Sequence, residues 1–170
     1  MSDAVESAKN QMTSEGVREL EERLERLKTV DRPAVADEIK EARAYGDLSE
    51  NAEYDAAKEK QAKIEGEISN LEKQLRNAVV VDEEGVDSQL VNVGTYVRIL
   101  DKETGDEEEY RIVSSAEADL ARGKLSNESP VGASLLGRKA GATVKVDAPG
   151  GAIRYKILEI SKKPFDAAEA

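Results

Sequence analysis

Asp47, Glu50, Glu53 and Asp55 crowd into nine positions of the stretch AYGDLSENAEYDAAK, on a chain that is acidic throughout. Asp47 and Glu50 are the pair whose type and spacing could do chemistry. Mg2+ is commonly held through one or two carboxylates together with substrate phosphates, and it keeps its remaining waters. Two carboxylates are therefore half of a metal site. The other half would come from a partner with phosphates and carboxylates of its own, as at the two-metal phosphoryl-transfer centre of a polymerase or nuclease. A second ion there lowers the pKa of an attacking water and stabilises the transition state. The same residues have a plainer use. D-L-S-E sets an acceptor three residues before a Glu at a helix start, the spacing of a capping box, with Ser49 as an alternative cap. Both readings stand at this point.

Composition removes most other chemistry. The 170 residues contain no His and no Cys, so there is no imidazole base, no Ser-His-Asp or Cys-His arrangement, no thiolate zinc site and no disulfide framework. The net charge is −11 and aromatic residues make up 4%. Phosphate neutralisation needs clustered Lys and Arg, and base stacking needs aromatic platforms, so independent, sequence-specific nucleic-acid binding is not expected. A nucleic-acid context supplied by a partner stays open. No apolar run reaches the length of a membrane span, and the polar start MSDAVESAKNQM does not read as a signal peptide. These features predict a soluble, cytoplasmic protein with frayed ends at MSDAVESAKN and KKPFDAAEA.

The elements that must position the acids come from periodicity. Val17, Leu20, Leu24 and Leu27 step by three and four, a narrow helical seam, with Thr13 or Ser14 as its cap and Gly16 as a modest weak point. Asp31-Arg32-Pro33 predicts a kink or short break, after which Val35, Ile39 and Ala42 resume in a shifted phase. Beyond Gly46, a second seam of Ala57, Ile64, Ile68, Leu71 and Leu75 runs to Asn77. Two long amphipathic helices joined by a short loop bury such seams by folding back on each other. The predicted hairpin has roughly 30 residues per arm and is about 45 Å long at 1.5 Å per residue. AYGDLSENAEYDAAK then lies at the tip, where Leu48 is an apolar residue between two acids. The arm's Arg18, Arg23, Arg26, Lys28, Arg32, Lys40 and Arg43 form either a local basic stripe or a solvated face of ion pairs.

The composition changes at residue 79, where β-branched runs alternate with Gly, Asp and Glu. TGDEEE predicts a hairpin turn, SPVGASLLGRKAG a short helix between Pro130 and Gly137, and ATVKVDAPGGAIRYKILEI two strands about a Pro-Gly-Gly turn. The fold class predicted is an all-α antiparallel coiled-coil hairpin over 1–78, followed by a small α+β antiparallel-sheet domain over 79–170 with a short disordered tail.

These segments, in this order, resemble a known family. GDLSENAEYDAAKEKQ and the upstream TVDRPAVADEIKEARAYG look like the signature of the bacterial GreA/GreB transcript cleavage factors. NVGTYVRILD, EEEYRIVSSAEAD, KLSNESPVGASLLGRKAG and VDAPGGAIRYKILEI resemble that family's C-terminal domain. The resemblance covers about residues 13 to 160. It implies a coiled coil that enters the secondary channel of bacterial RNA polymerase and an FKBP-like domain that docks at the channel rim. The protein is then not itself an enzyme and has no intrinsic cofactor: Asp47 and Glu50 help hold a Mg2+ shared with the polymerase, which cleaves the nascent RNA 3′ end of a backtracked complex. By the same resemblance Leu48, Ser49, Asn51 and Tyr54 position the tip or contact polymerase or RNA, and Ser129 and Pro130 dock at the rim. From sequence alone, Ser129 and Pro130 simply start a helix. The intact D-L-S-E argues against a channel-binding inhibitor. A coiled-coil chaperone or adaptor is the alternative of a different class. Prolyl isomerisation ranks last, because few aromatics, chiefly Tyr96, Tyr110 and Tyr155, could line such a pocket.

Overall fold

The seam that begins at Val17 lies on one helical arm that does not break at the proline. The computed structural model describes residues 8–46 and 51–165. It contains two compact units, one of Val17–Asn77 and one joining the segment up to Gly16 to the segment from Ala78 onward. In the first unit, helix α1 (Ser14–Arg26, whose first turn belongs to the other unit) passes through a π-helical turn at Leu27–Asp31 into α2 (Arg32–Ala44). The phase shift seen in the sequence has its cause here. Leu27 to Val35 is eight residues, one more than two turns of seam allow, and a π turn absorbs one extra residue. The Arg32 N–H reaches back five residues to the Leu27 carbonyl. Pro33 then falls in the first turn of α2, where a missing N–H costs little. The expected break is thus replaced by a wider turn just before it.

Helix α3 (Ala52–Asn77) forms the second arm. Leu27 and Val35 pack against Ile64, Ile68 and Leu71, with Leu20 and Leu24 partly buried beside them. Burying each such side chain stabilises by about 1.5–3 kcal/mol. Cross-arm ion pairs flank the seam: Lys28–Glu72 (2.7 Å), Arg32–Glu65 (2.7 Å) and Lys60–Glu38 (2.6 Å). Their partners advance on one arm as they retreat on the other, which is the antiparallel register. Arg23 adds a two-pronged pair with Glu67 at 2.8 and 3.1 Å. Arg23, Lys28 and Arg32 therefore belong to a face of ion pairs rather than to a basic stripe. The hydrogen bond from Arg32 holds the Glu65 carboxyl below its ordinary range, and the one from Lys28 does the same for Glu72.

The second unit is built on a five-stranded sheet, in the order β5 (Lys124–Ser126), β4 (Glu107–Val113), β3 (Tyr96–Asp101), β7 (Gly151–Ser161), β6 (Thr143–Ala148). All pairs are antiparallel except β4 with β5. Val97, Ile99, Ile112, Val144, Val146 and Ile157 face a core closed by Leu135 and Leu136 at the end of helix α4 (Pro130–Leu135). In the β3–β4 turn the Asp101 carboxylate accepts from the Glu103 and Thr104 amides at 2.8 and 3.2 Å, and Gly105 supplies a φ of +81°.

The N-terminal segment departs from expectation. Among its described residues, Ala8 is buried in the sheet unit's core and its carbonyl accepts from Asn127 Nδ2 at 3.0 Å. Strand β1 (Gln11–Met12) pairs in parallel with β2 (Val79–Val80). Residues 8–16 thus fold with the sheet and not with the hairpin. Thr13 caps α1, its Oγ1 accepting from the Gly16 amide at 3.0 Å. Its own N–H and hydroxyl donate to the buried Glu117 carboxylate, which also accepts from the Ser114 amide and hydroxyl at 3.3 and 2.9 Å. Of the C-terminal segment, Lys162 donates to the Glu84 carbonyl at 2.9 Å and Phe165 lies 4.6 Å from the Arg98 guanidinium. The expectation of fraying therefore does not hold for residues 162–165.

Candidate functional site

The two helix ends that flank the acidic tip in the sequence are tied together. Asp47, Leu48, Ser49 and Glu50 lie outside the described residues, so the site is defined by what flanks them. On the incoming side α2 ends with the Tyr45 amide bonded back to the Ala42 carbonyl at 3.3 Å and Gly46 at a φ of +106°, a left-handed turn residue that stops the helix. On the outgoing side the helix begins at Ala52, and Asn51 occupies the capping position. Its Oδ1 accepts from the Tyr54 amide at 3.1 Å and its backbone carbonyl accepts the first intrahelical bond, from Asp55, at 3.1 Å. Asn51 Nδ2 then crosses to the other arm and donates to the Ala42 carbonyl at 2.7 Å.

This bears on the choice left open by the sequence. The capping-box reading of D-L-S-E needs that tetrad to start the helix. The cap observed at the start of α3 is Asn51, one residue beyond that tetrad, and the tetrad itself lies outside the described residues. Glu53 and Asp55 lie in the first turn of α3, where negative charge is favourable at the positive helix end. Tyr54 is half-buried, and its ring lies 5.9 Å from the Arg43 guanidinium of the opposite arm. Tyr45 is 77% exposed. The parts that sequence reasoning missed are Arg43 as a ring partner and Asn51 as the cap. The cap was signalled by an Asn directly before an acidic first turn.

Ser129 and Pro130 open α4. The Ser129 hydroxyl accepts from the Gly132 amide at 3.1 Å and donates to the Ser126 carbonyl at 2.7 Å, while Pro130 fills the first turn and is exposed. The polar capacity of Ser129 is thus engaged within the fold, and Pro130 is the member of the pair that offers surface. The three tyrosines considered for a prolyl pocket do not gather. Tyr96 and Tyr110 line a cleft of about 280 Å3 with Arg111, Lys124 and Phe165, whereas Tyr155 is buried in the core. That cleft is charged: Arg111 pairs with Glu15 at 3.0 Å and Glu83 at 3.3 Å. Burial, reinforced by Glu108, raises the Tyr110 hydroxyl above its ordinary range.

Among the described residues no three acidic side chains gather into a metal-binding group, and no helix is long and apolar enough to cross a membrane. Two family models match the chain in succession: "Transcription elongation factor, N-terminal" over residues 10–80 and "Transcription elongation factor, GreA/GreB, C-term" over residues 86–162. The transcription elongation factor GreA of Caldanaerobacter subterraneus subsp. tengcongensis is 54% identical over 151 residues, covering 89% of this chain and 96% of that protein. GreA of Clostridium botulinum is 52% identical over 157 residues, covering 92% and 98%. Among solved structures, GreA factor homolog 1 (Gfh1) of Thermus thermophilus is 28% identical, with a TM-score of 0.42 over 88% of this chain and 97% of that one. With both domains matched in order and more than half of the aligned positions shared over nearly the full length of its relatives, the chain belongs to the GreA/GreB family of transcription elongation factors.

Proposed function

We propose that the chain is a cytoplasmic transcript cleavage factor: its helical hairpin enters the secondary channel of bacterial RNA polymerase, and Asp47 and Glu50 complete the polymerase's metal centre. The observation that carries this reading is a pair of carboxylates at the turn of a two-helix hairpin, in a chain over half identical to GreA proteins. That the cap observed at the start of α3 is Asn51 also supports the reading.

The donor set suits Mg2+, because both groups offer hard oxygens and two of them leave the remaining positions to water, phosphate and the partner's carboxylates. When bound there, Mg2+ supplies a lowered pKa for the attacking water and charge neutralisation on the scissile phosphate. Asp47 and Glu50 would hold it from the factor's side and orient the water towards the phosphodiester of the backtracked RNA 3′ end. The factor carries no reaction of its own: it raises the intrinsic endonucleolytic activity of its partner, and the polymerase supplies the rest of the nucleic-acid context. Pro130, exposed at the start of α4, is the candidate contact to the channel rim.

The test is direct. Added to a stalled, backtracked polymerase, the protein should release short 3′ RNA fragments in a Mg2+-dependent manner. Asp47→Ala and Glu50→Ala should each abolish that stimulation while binding persists. Cleavage at the unmodified rate in both variants would refute the metal-holding role.

A further inference from the structure

Near the tip the hairpin has little apolar packing to set its register. The cluster of large side chains runs through Leu27, Val35, Ile64, Ile68 and Leu71, Ile39 is buried beyond it, and past Ile39 the buried seam positions shrink to Ala42 and Ala57. Alanines let two helices approach, but they interdigitate weakly and permit sliding and rotation. Where the knobs are that small, directional bonds must hold the arms.

Beside the Lys60–Glu38 ion pair, one described side chain makes such bonds at the helix ends. Asn51 Nδ2 donates to the Ala42 carbonyl at 2.7 Å, and Oδ1 accepts from the Tyr54 amide at 3.1 Å. The first bond joins the last turn of α2 to the residue that opens α3, and the second aligns the start of α3 on that residue. The amide thereby gives the Ala42 carbonyl a second donor beside the Tyr45 amide and pairs the Tyr54 N–H, at two different helix ends. Glu50 is bonded covalently to Asn51, and Asp47 follows Gly46, four residues after Ala42. Both acids are therefore attached to the two ends that this one amide clamps.

We propose that Asn51 is a positioning residue for RNA cleavage: its side-chain amide fixes the separation and register of the two helix ends that carry Asp47 and Glu50, and it makes no contact with polymerase or RNA itself. The assignment rests on the reading under Proposed function and takes the first of the two roles, positioning the tip or contacting polymerase or RNA, that the resemblance implies for Asn51. Both hydrogen-bonding ends of its amide are engaged within the hairpin.

The two bonds can be separated chemically. Asn51→Asp keeps an oxygen for the Tyr54 amide, so the cap survives, but it puts a carboxylate against the Ala42 carbonyl and removes the donor. Asn51→Ala removes both bonds. Three quantities are read for the full-length protein: thermal melting by circular dichroism, affinity for core RNA polymerase, and the rate and Mg2+ requirement of cleavage at saturating factor. For Asn51→Asp the melting temperature and polymerase affinity should stay at wild-type values. The saturated cleavage rate should fall by about tenfold or more and the Mg2+ requirement should rise, as happens when groups that orient metal ligands are removed. Asn51→Ala should show the same rate defect together with a lower melting temperature. Wild-type cleavage and Mg2+ requirement in Asn51→Asp would reduce Asn51 to a helix cap and overturn the proposal. A loss of polymerase affinity at an unchanged saturated rate would make it a contact residue, and would overturn it equally. Failure of the wild-type protein to stimulate cleavage would instead refute the reading beneath it.

Discussion

Gly16→Ala is the substitution at which helix propensity and tertiary structure predict opposite signs. Gly16 lies in the first turn of α1, and in a helix interior alanine is favoured over glycine by about 1 kcal/mol. The structure forbids the exchange, because a Cβ at this position would overlap the side chain of the buried Glu117. That carboxylate accepts four hydrogen bonds, from the amide and hydroxyl of Thr13 and of Ser114. If displacement breaks two of them, at about 1.5–3 kcal/mol for each bond to a charged group, the loss is about 3–6 kcal/mol. Subtracting the propensity gain leaves a net destabilisation of about 2–5 kcal/mol. The assay is urea unfolding of the full chain by tyrosine fluorescence with Tyr45 and Tyr54 replaced by Leu, so that the signal comes from Tyr96, Tyr110 and Tyr155 in the sheet unit. The midpoint of that transition should fall by on the order of 1–2 M. In a Glu117→Ala background the obstruction is gone, and the same Gly16→Ala change should become stabilising by about 0.5–1 kcal/mol. A raised midpoint for Gly16→Ala in the otherwise natural chain, or the same sign in both backgrounds, would refute the argument.

Deleting the exposed Val30 should remove the extra residue of the π turn and restore a seven-residue step from Leu27 to Val35. Alone, the deletion forces Pro33 into a regular helix at a cost of about 3 kcal/mol, whereas combining it with Pro33→Ala should recover most of that, as read by melting at 222 nm. Acid should weaken the hairpin. Glu65 and Glu72 titrate lower when folded than unfolded, so their contribution is present above the unfolded value of about 4.3 and disappears as pH falls through the lower folded values. The melting temperature measured from pH 7 to pH 3 should drop in that window, and Glu65→Gln should make the drop shallower; a parallel curve would count against the pairing. Gly132→Ala would press a Cβ into the Ser126 backbone, whose carbonyl carbon would lie 2.9 Å away. It should abolish the wild-type amide spectrum around α4 by NMR, and an unperturbed spectrum would show that the backbone there can yield.

Local physics was legible in the residues themselves. The seam at spacings of three and four made both hairpin arms, since burial of Leu and Ile on one face is a property of nearby positions. The eight-residue step from Leu27 to Val35 already contained the π turn, although the proline beside it suggested a break. The strands on either side of APGG and TGDEEE, and the helix that starts at Ser129-Pro130, likewise follow from turn chemistry. The absence of His and Cys limits any metal chemistry to carboxylates and hard cations. What tertiary structure alone decided were contacts between distant residues. Residues 8–16 fold with the sheet because Met12 finds Val80, and because Thr13 finds Glu117, 104 residues away. No local pattern encodes partners at that separation. At the tip, sequence could name Asp47 and Glu50 but could not choose between cap and metal ligand. Tertiary structure added Asn51, whose amide reaches across nine residues to Ala42. A short polar side chain can bond in several directions, and only the approach of the opposite arm selects one of them.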